Sequence, residues 1–263
     1  MKKTLLIFFM GIMVITFCNP AFSVTKNLRI ISMAPATTEI LFSLGLDEEI
    51  VGVTSFCNYP PQALRKENIG SFSRPNIEKI LSLKPDIVFA TDLEQGFAVS
   101  KLMKLGVNVF ISSPTSISEL FDSIRFIGIK TDKEEKAEQL IHQMHTRIAA
   151  ITGNAMSESQ NNKPKVFVEI WHDPLMTAGK GSFIDELITL AGGENIAFDT
   201  PRPYCYFSAE QVIKRNPDYI ILGYMNRGKP VNMVGSRPGW QNIKAVKNNR
   251  VYNDINPDIF LRP

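Results

Sequence analysis

The chain has 263 residues, 44% of them hydrophobic and 21% charged, with a formal net charge of +3. That length supports one large or two small domains with real cores, and the composition is that of an ordinary globular protein. The charge is nearly balanced and no basic cluster stands out, which argues against a nucleic-acid partner.

The N-terminus has its own character. Lys2 and Lys3 precede an apolar run from Leu5 to Phe17, followed by Asn19, Pro20 and the short site Ala21-Phe22-Ser23. This is the pattern of a secretory signal peptide over residues 1–23. The run is shorter than the roughly 20 residues a bilayer span needs. A lipid anchor on Cys18 would need a small residue where Phe17 stands. Removing residues 1–23 takes away two lysines and no acids, leaving 27 basic against 26 acidic residues. Cys57 and Cys205 remain, in a compartment where disulfides form.

Leu28 to Met33 reads as a short strand, and Pro35 with Thr37 and Thr38 opens a helix whose Ile40, Leu41 and Leu44 follow a 3.6-residue period. Gly45 reads as its C-terminal cap. Ile50 to Thr54 is a second strand, and Phe56 to Pro61 a loop closed by two prolines. Asn76 to Phe89 holds a short helix, a Lys84-Pro85-Asp86 turn and a strand. A helix ending at Gly106 and the strand Val107 to Ser112 follow. Alternating strands and helices predict α/β architecture with a mainly parallel sheet.

From Ser116 to about Ser159 the strand pattern stops. One short helix and one long one are expected, with Asp132 and Glu135 resembling a capping box and Ile141, Met144, Ile148 and Ile151 forming an apolar stripe. A polar stretch precedes Lys165, where strands and helices resume. The expected organisation is an N-terminal lobe over residues 24–115, a linking helix region over 116–160 and a C-terminal lobe over 161–263.

The second lobe repeats the first. Ser208 to Ile221 echoes Asn76 to Phe89: Glu78 and Glu210, Pro85 and Pro217, and Asp86 and Asp218 are each 132 positions apart. Phe72 and Tyr204 keep the same offset. Ligands of open α/β sheets sit beyond the carboxyl ends of the strands, so two lobes imply a crevice between them. The post-strand loops bring Phe56, Cys57, Tyr59 and Phe72 from one lobe and Trp171, His172, Tyr204, Cys205 and Tyr206 from the other. Such aromatics suit a large flat ligand, or they cap each lobe's core. Glu78 and Glu210 follow Asn76 and Ser208, which read as N-caps. A carboxylate there gains roughly 0.3–1 kcal/mol from the helix dipole, or the two charges meet a partner that is itself twofold.

Taken together, "RIISMAPATTEILFSLG", "VGVTSFCNYPP", "NIEKILSLKPDIVFA", the long helix, "AGKGSFIDELITLAGGENI" and "FSAEQVIKRNPDYIIL" resemble the periplasmic corrinoid (vitamin B12)-binding proteins of ABC importers. These lie within the wider group that also binds ferric siderophores and haem. The resemblance runs from about Leu28 to the chain end. It implies a monomeric extracytoplasmic receptor that carries a cobalt corrinoid as cargo and has no catalytic cofactor. The lobes would move little, because a long helix resists hinge bending. Glu78 and Glu210 would dock to arginine pockets on a dimeric membrane permease, an Arg–carboxylate pairing that can be bidentate.

Ligand contacts carry over to Phe56, Tyr59, Phe72, Trp171, His172, Tyr204 and Tyr206, and to a final cleft loop of Asp258, Phe260 and Arg262. Phe56 lacks the hydroxyl of the family's aromatic. Ala191 stands where some members have a cysteine, so that bridge is not expected here. Cys57 and Cys205 remain open to a cross-cleft disulfide, free thiols or a thiolate on a metal centre. The family closes its second lobe with a helix after the final loop; Pro263 follows it here, and the expectation is a fragment.

Competing readings fit less well. A receptor for a first-row metal ion needs a cluster of His and carboxylate ligands, yet the chain has three histidines, and His142 and His145 fall on one helix face. His172-Asp173 has the look of an acid–base pair but no G-x-S-x-G nucleophile turn accompanies it. "AGKGS" lacks phosphate-loop spacing. No enzyme and no protein-held metal site are expected. The runner-up cargo is a ferric siderophore or haem, with Lys180, Arg202 and Arg262 as the available cations.

Overall fold

A computed structural model describes residues 28–91, 94–158, 163–224 and 231–256. The expected signal peptide over residues 1–23, Cys18 and the segment holding Asp258, Phe260 and Arg262 lie outside the described residues.

The first lobe contains β1 (Ile30–Ser32), α1 (Pro35–Ser43), β2 (Ile50–Val53), α2 (Ile77–Ser82), β3 (Ile87–Ala90), α3 (Gly96–Lys104) and β4 (Val109–Ile111). Two helices follow, α4 (Ile117–Lys130) and the 25-residue α5 (Glu134–Glu158). The second lobe contains β5 (Lys165–His172), β6 (Leu175–Ala178), α6 (Phe183–Leu190), β7 (Glu194–Asn195), β8 (Tyr204–Tyr206), α7 (Ala209–Arg215), β9 (Tyr219–Leu222), α8 (Asn232–Gly235), α9 (Lys244–Lys247) and β10 (Val251–Tyr252). This is a two-lobe α/β fold joined by one long helix.

The first sheet runs β2-β1-β3-β4 and is parallel throughout. Strand alternation sends Ile30 and Phe89 to one face and Ile31 and Val88 to the other. The Ile30 face is covered by α1, α4 and the first half of α5, through Leu41, Phe121, Ile124, Ile127 and Ile141. Both post-sheet helices are therefore rooted in the first lobe's core. On α5 the apolar stripe continues through Met144 and Ile148, but Ile151 is 57% exposed. Asp132 does not cap α5; it adopts φ of +54° in the turn that ends α4, with the Lys133 N–H donating to the Gly128 carbonyl at 2.8 Å.

The second sheet runs β10-β9-β5-β6-β8, with β7 also on β5. Strands β10, β9, β5 and β7 are parallel, whereas β6 and β8 are antiparallel additions. Among the described residues they have no counterpart in the first lobe. Cys205 sits on β8 opposite Thr177.

The repeated segments use one interaction twice. Asp86 accepts a hydrogen bond on its carboxylate from the Arg29 N–H at 3.0 Å, and its own N–H donates to the Arg29 carbonyl at 2.8 Å. Asp218 makes the same pair with Lys165, at 2.9 and 2.8 Å. Each aspartate thus pins a helix–turn–strand unit to the start of its lobe's central strand. The residues two before each aspartate, Lys84 and Asn216, share left-handed backbone at φ of +47° and +50°. Between lobes, Glu186 on α6 accepts the Ile117 N–H of α4 at 2.8 Å, placing a negative charge where the helix dipole favours it.

Asp86→Ala and Asp218→Ala are each expected to destabilise the protein by about 1–2 kcal/mol through loss of a charge-assisted bond to backbone. Urea unfolding of the two variants measures it.

Candidate functional site

The carboxyl ends of β1, β2 and β3 carry the loops expected to line a site. Phe56 and Phe72 meet edge to face, with ring centroids 6.5 Å apart. Phe56 is 44% exposed and Tyr59 62%. Below Phe56, Cys57 is buried, with its Sγ 3.2 Å from Thr54 Oγ1, in the first lobe's core. It forms no disulfide with Cys205.

The arrangement of this rim depends on Gln95, a fully buried amide. Its Nε2 donates to the carbonyls of Met33 at 2.7 Å and Phe72 at 3.0 Å, and its Oε1 accepts the Thr91 N–H at 3.1 Å. One side chain therefore joins the segments leaving β1 and β3 to the Phe72 loop. A buried amide satisfied on both ends is a firm tether, because any displacement strands polar groups away from water. Nothing in the sequence around Gln95 marked it.

The second rim is built differently. Trp171 and His172 end β5, with ring centroids 5.5 Å apart, and the Trp171 indole donates to the Asp173 carbonyl at 2.8 Å. Tyr204 and Tyr206 lie in register with Ala178 and Met176, on the face of β8 opposite Cys205. Burial raises the Tyr204 phenol above its ordinary pKa.

Beside this rim is a cluster that the sequence reading missed. Glu169 on β5 is fully buried, and both its oxygens meet Arg237: Nη1 reaches Oε2 and Nη2 reaches Oε1, each at 2.7 Å. The Tyr224 hydroxyl donates to Glu169 Oε1 and is itself 3.4 Å from Arg237 Nη2. Burial, then the Glu169 carboxylate, raise the Tyr224 phenol well above its ordinary range. For Arg237, burial opposes its charge but the Glu169 contact prevails, and its pKa is raised. The guanidinium also stacks on the buried Trp240 at 4.5 Å, and the Tyr224 ring lies 5.8 Å from His172. The one available signal was a glutamate inside an otherwise apolar strand, "VFVEI". Lys180 and Arg202, named from sequence as cations, are exposed.

Glu78 and Glu210 occupy equivalent places in the first turns of α2 and α7. Asn76 and Ser208 cap those helices, accepting the Lys79 N–H at 2.9 Å and the Gln211 N–H at 3.4 Å. Glu78 is 82% exposed and 3.9 Å from Lys101. Glu210 accepts the Ser208 hydroxyl, and that bond is the main cause of its lowered pKa. His142 and His145 are both exposed on α5, the latter against Phe121 at 4.4 Å.

The family model described as periplasmic binding protein matches residues 30–256. The chain belongs to this family. Among its curated relatives is a vitamin B12-binding protein of Salmonella choleraesuis, 33% identical over 219 residues, covering 83% of this chain and 79% of that one. An uncharacterized ABC transporter substrate-binding lipoprotein of Bacillus subtilis is 34% identical over 239 residues, covering 89% and 74%. Among solved structures, the periplasmic vitamin B12-binding protein of Vibrio cholerae gives a TM-score of 0.74 at 30% identity, covering 89% of this chain and 90% of that one. The apo periplasmic haem-binding protein of Roseiflexus sp. RS-1 gives 0.77 at 28% identity, covering 90% and 95%. As a periplasmic binding protein this chain is a transport component, and among the described residues no helix is long and apolar enough to cross a membrane.

Because the folded pKa of Glu210 is lowered, the stabilising Ser208 contact is present above the unfolded value and lost as pH falls through the folded one. Ser208→Ala is expected to move the Glu210 midpoint up toward the ordinary carboxylate value, as read by NMR titration of side-chain carboxyls.

Proposed function

We propose that this protein is an extracytoplasmic receptor that captures a corrinoid of the vitamin B12 type between its lobes and delivers it to the membrane subunits of an ABC importer. Two aromatic rims at the carboxyl edges of the two sheets carry the reading: Phe56 and Phe72 on one, Trp171, His172, Tyr204 and Tyr206 on the other. Such rims offer flat apolar area with polar edges, which fits a large macrocycle. Relatives named as vitamin B12-binding proteins support the choice of cargo. Tyr59, Asp258, Phe260 and Arg262 complete the proposed contact set. The protein performs no chemistry on the cargo, acts as a monomer, and is exported by a signal peptide over residues 1–23 that is then cleaved. Its lobes are residues 24–115 and 161–263, with 116–160 between them.

Glu78 and Glu210 are the proposed docking charges. They stand in the same turn of the same repeated unit, so a receptor with pseudo-twofold symmetry presents one carboxylate to each half of a twofold permease. Exposed carboxylates in the first turn of capped helices suit bidentate arginine partners. Haem is the second reading, favoured by the fold match to a haem-binding protein.

Titration of the purified protein with cyanocobalamin, followed by calorimetry and by fluorescence of the half-exposed Trp171, is expected to show saturable one-to-one binding. Phe72→Ala with Tyr204→Ala is expected to weaken it at least about tenfold, the loss of two stacked aromatics. Absence of binding by the folded protein would sink the corrinoid reading and turn attention to haem.

Glu78→Gln combined with Glu210→Gln is expected to leave cargo affinity unchanged and to abolish stimulation of the reconstituted importer's ATPase. Loss of cargo binding in that variant would count against a docking role.

A further inference from the structure

A concavity of about 220 Å³ opens on the second lobe's rim, lined by His172, Tyr224, Met233, Ser236 and Arg237 among others. It lies at the carboxyl ends of β5 and β9, beside Trp171 and His172. Beneath it is the buried Glu169, held by Arg237 and Tyr224. Two features of that cluster determine what the concavity will accept.

The first is hydrogen-bond supply. Arg237 commits one hydrogen of each terminal nitrogen to Glu169 and directs Nη2 weakly toward Tyr224. Its Nε–H and the second Nη1 hydrogen have no acceptor among the described residues, and its side chain is 24% exposed. The arginine is gripped on one edge by the carboxylate and on one face by Trp240, so those remaining donors are fixed in direction. The second feature is charge. An unpaired arginine in a ligand cleft attracts carboxylates, but this one faces its own buried carboxylate at 2.7 Å on two contacts. The pair has no net charge, and a second carboxylate brought to the guanidinium would be repelled by Glu169 from behind.

We infer that this concavity receives a neutral hydrogen-bond acceptor on the periphery of the cargo, an amide carbonyl above all, and selects against a carboxylate at the same place. Glu169 is the positioning residue: it fixes the guanidinium and cancels its charge. The inference rests on the proposed reading of the cleft as a macrocycle site and deepens it by naming the functional group accepted. A corrin ring carries neutral amide arms, whereas haem carries two ionised propionates, so a compensated arginine biases the site toward the former.

The test compares cyanocobalamin with its isomeric monocarboxylic acids, in which one ring amide is hydrolysed, on the full chain by calorimetry. The wild type is expected to bind at least one acid isomer on the order of tenfold more weakly than the amide. Glu169→Gln, which leaves the guanidinium uncompensated, is expected to narrow or invert that ratio. Ser236→Lys, an exposed change at the rim that adds a free cation without disturbing the core, is expected to do the same and keeps the test sharp if Glu169→Gln fails to fold. Equal affinities for every acid isomer in the wild type, or ratios unmoved in a folded variant, would overturn the inference. If the wild type binds no corrinoid, the cargo reading falls separately. Haem and its dimethyl ester then provide the acid and neutral pair for the same variants, with the ester expected to be preferred. Binding of neither macrocycle overturns both readings.

Discussion

The fold turns on an exchange of hydrogen bonds between an aspartate and the residue that begins each central strand. In the first lobe Asp86 closes this pair with Arg29, and in the second Asp218 closes it with Lys165. A parallel strand needs a crossover helix to return it to the same end of the sheet. The aspartate fixes where that return ends. Once each pair is closed, the helices α2 and α7 start at equivalent heights, and Glu78 and Glu210 come to matching positions in their lobes. A proposed docking symmetry thus begins with two carboxylates that bind backbone at the other end of the helix–turn–strand unit.

The two rims are stiffened by different chemistry. In the first lobe a neutral amide, Gln95, ties three segments together and leaves no polar group unsatisfied. In the second, the tether is an ion pair whose carboxylate is fully buried. A buried pair of this kind contributes little net stability, because desolvation of both charges offsets their attraction, but removing one partner is costly. That makes Glu169 and Arg237 better understood as a device for placing donors than as a source of stability. Gln95 is neutral and the Glu169–Arg237 pair carries no net charge, so neither tether itself presents an uncompensated charge.

The linking region serves a similar economy of motion. α4 and the first half of α5 are part of the first lobe's core, and Ile151 marks where α5 leaves that cover. Glu186 then joins the second lobe to the start of α4. A continuous helix and a capped helix end both resist the large hinge movements that extended connections permit.

The sequence by itself determined the repeat, the α/β alternation, the long helix and the helix caps, because each depends on residues close together in the chain. Asn76 and Ser208 cap the helices they precede, and the Pro-Asp turns recur at one offset. Local reading failed where the partner was distant. Asp132 looked like a cap beside Glu135, but the need to end α4 took precedence. The β6 and β8 additions went unseen, since Pro174 and the short Tyr204–Tyr206 run carry no strand periodicity. Gln95 is a plain polar residue until Met33 and Phe72 arrive, 62 and 23 positions away. Glu169 and Arg237 are 68 positions apart and meet only when β9 and the segment after it fold over β5. Charge compensation is a property of the pair, so only the tertiary structure decided what the second rim can bind.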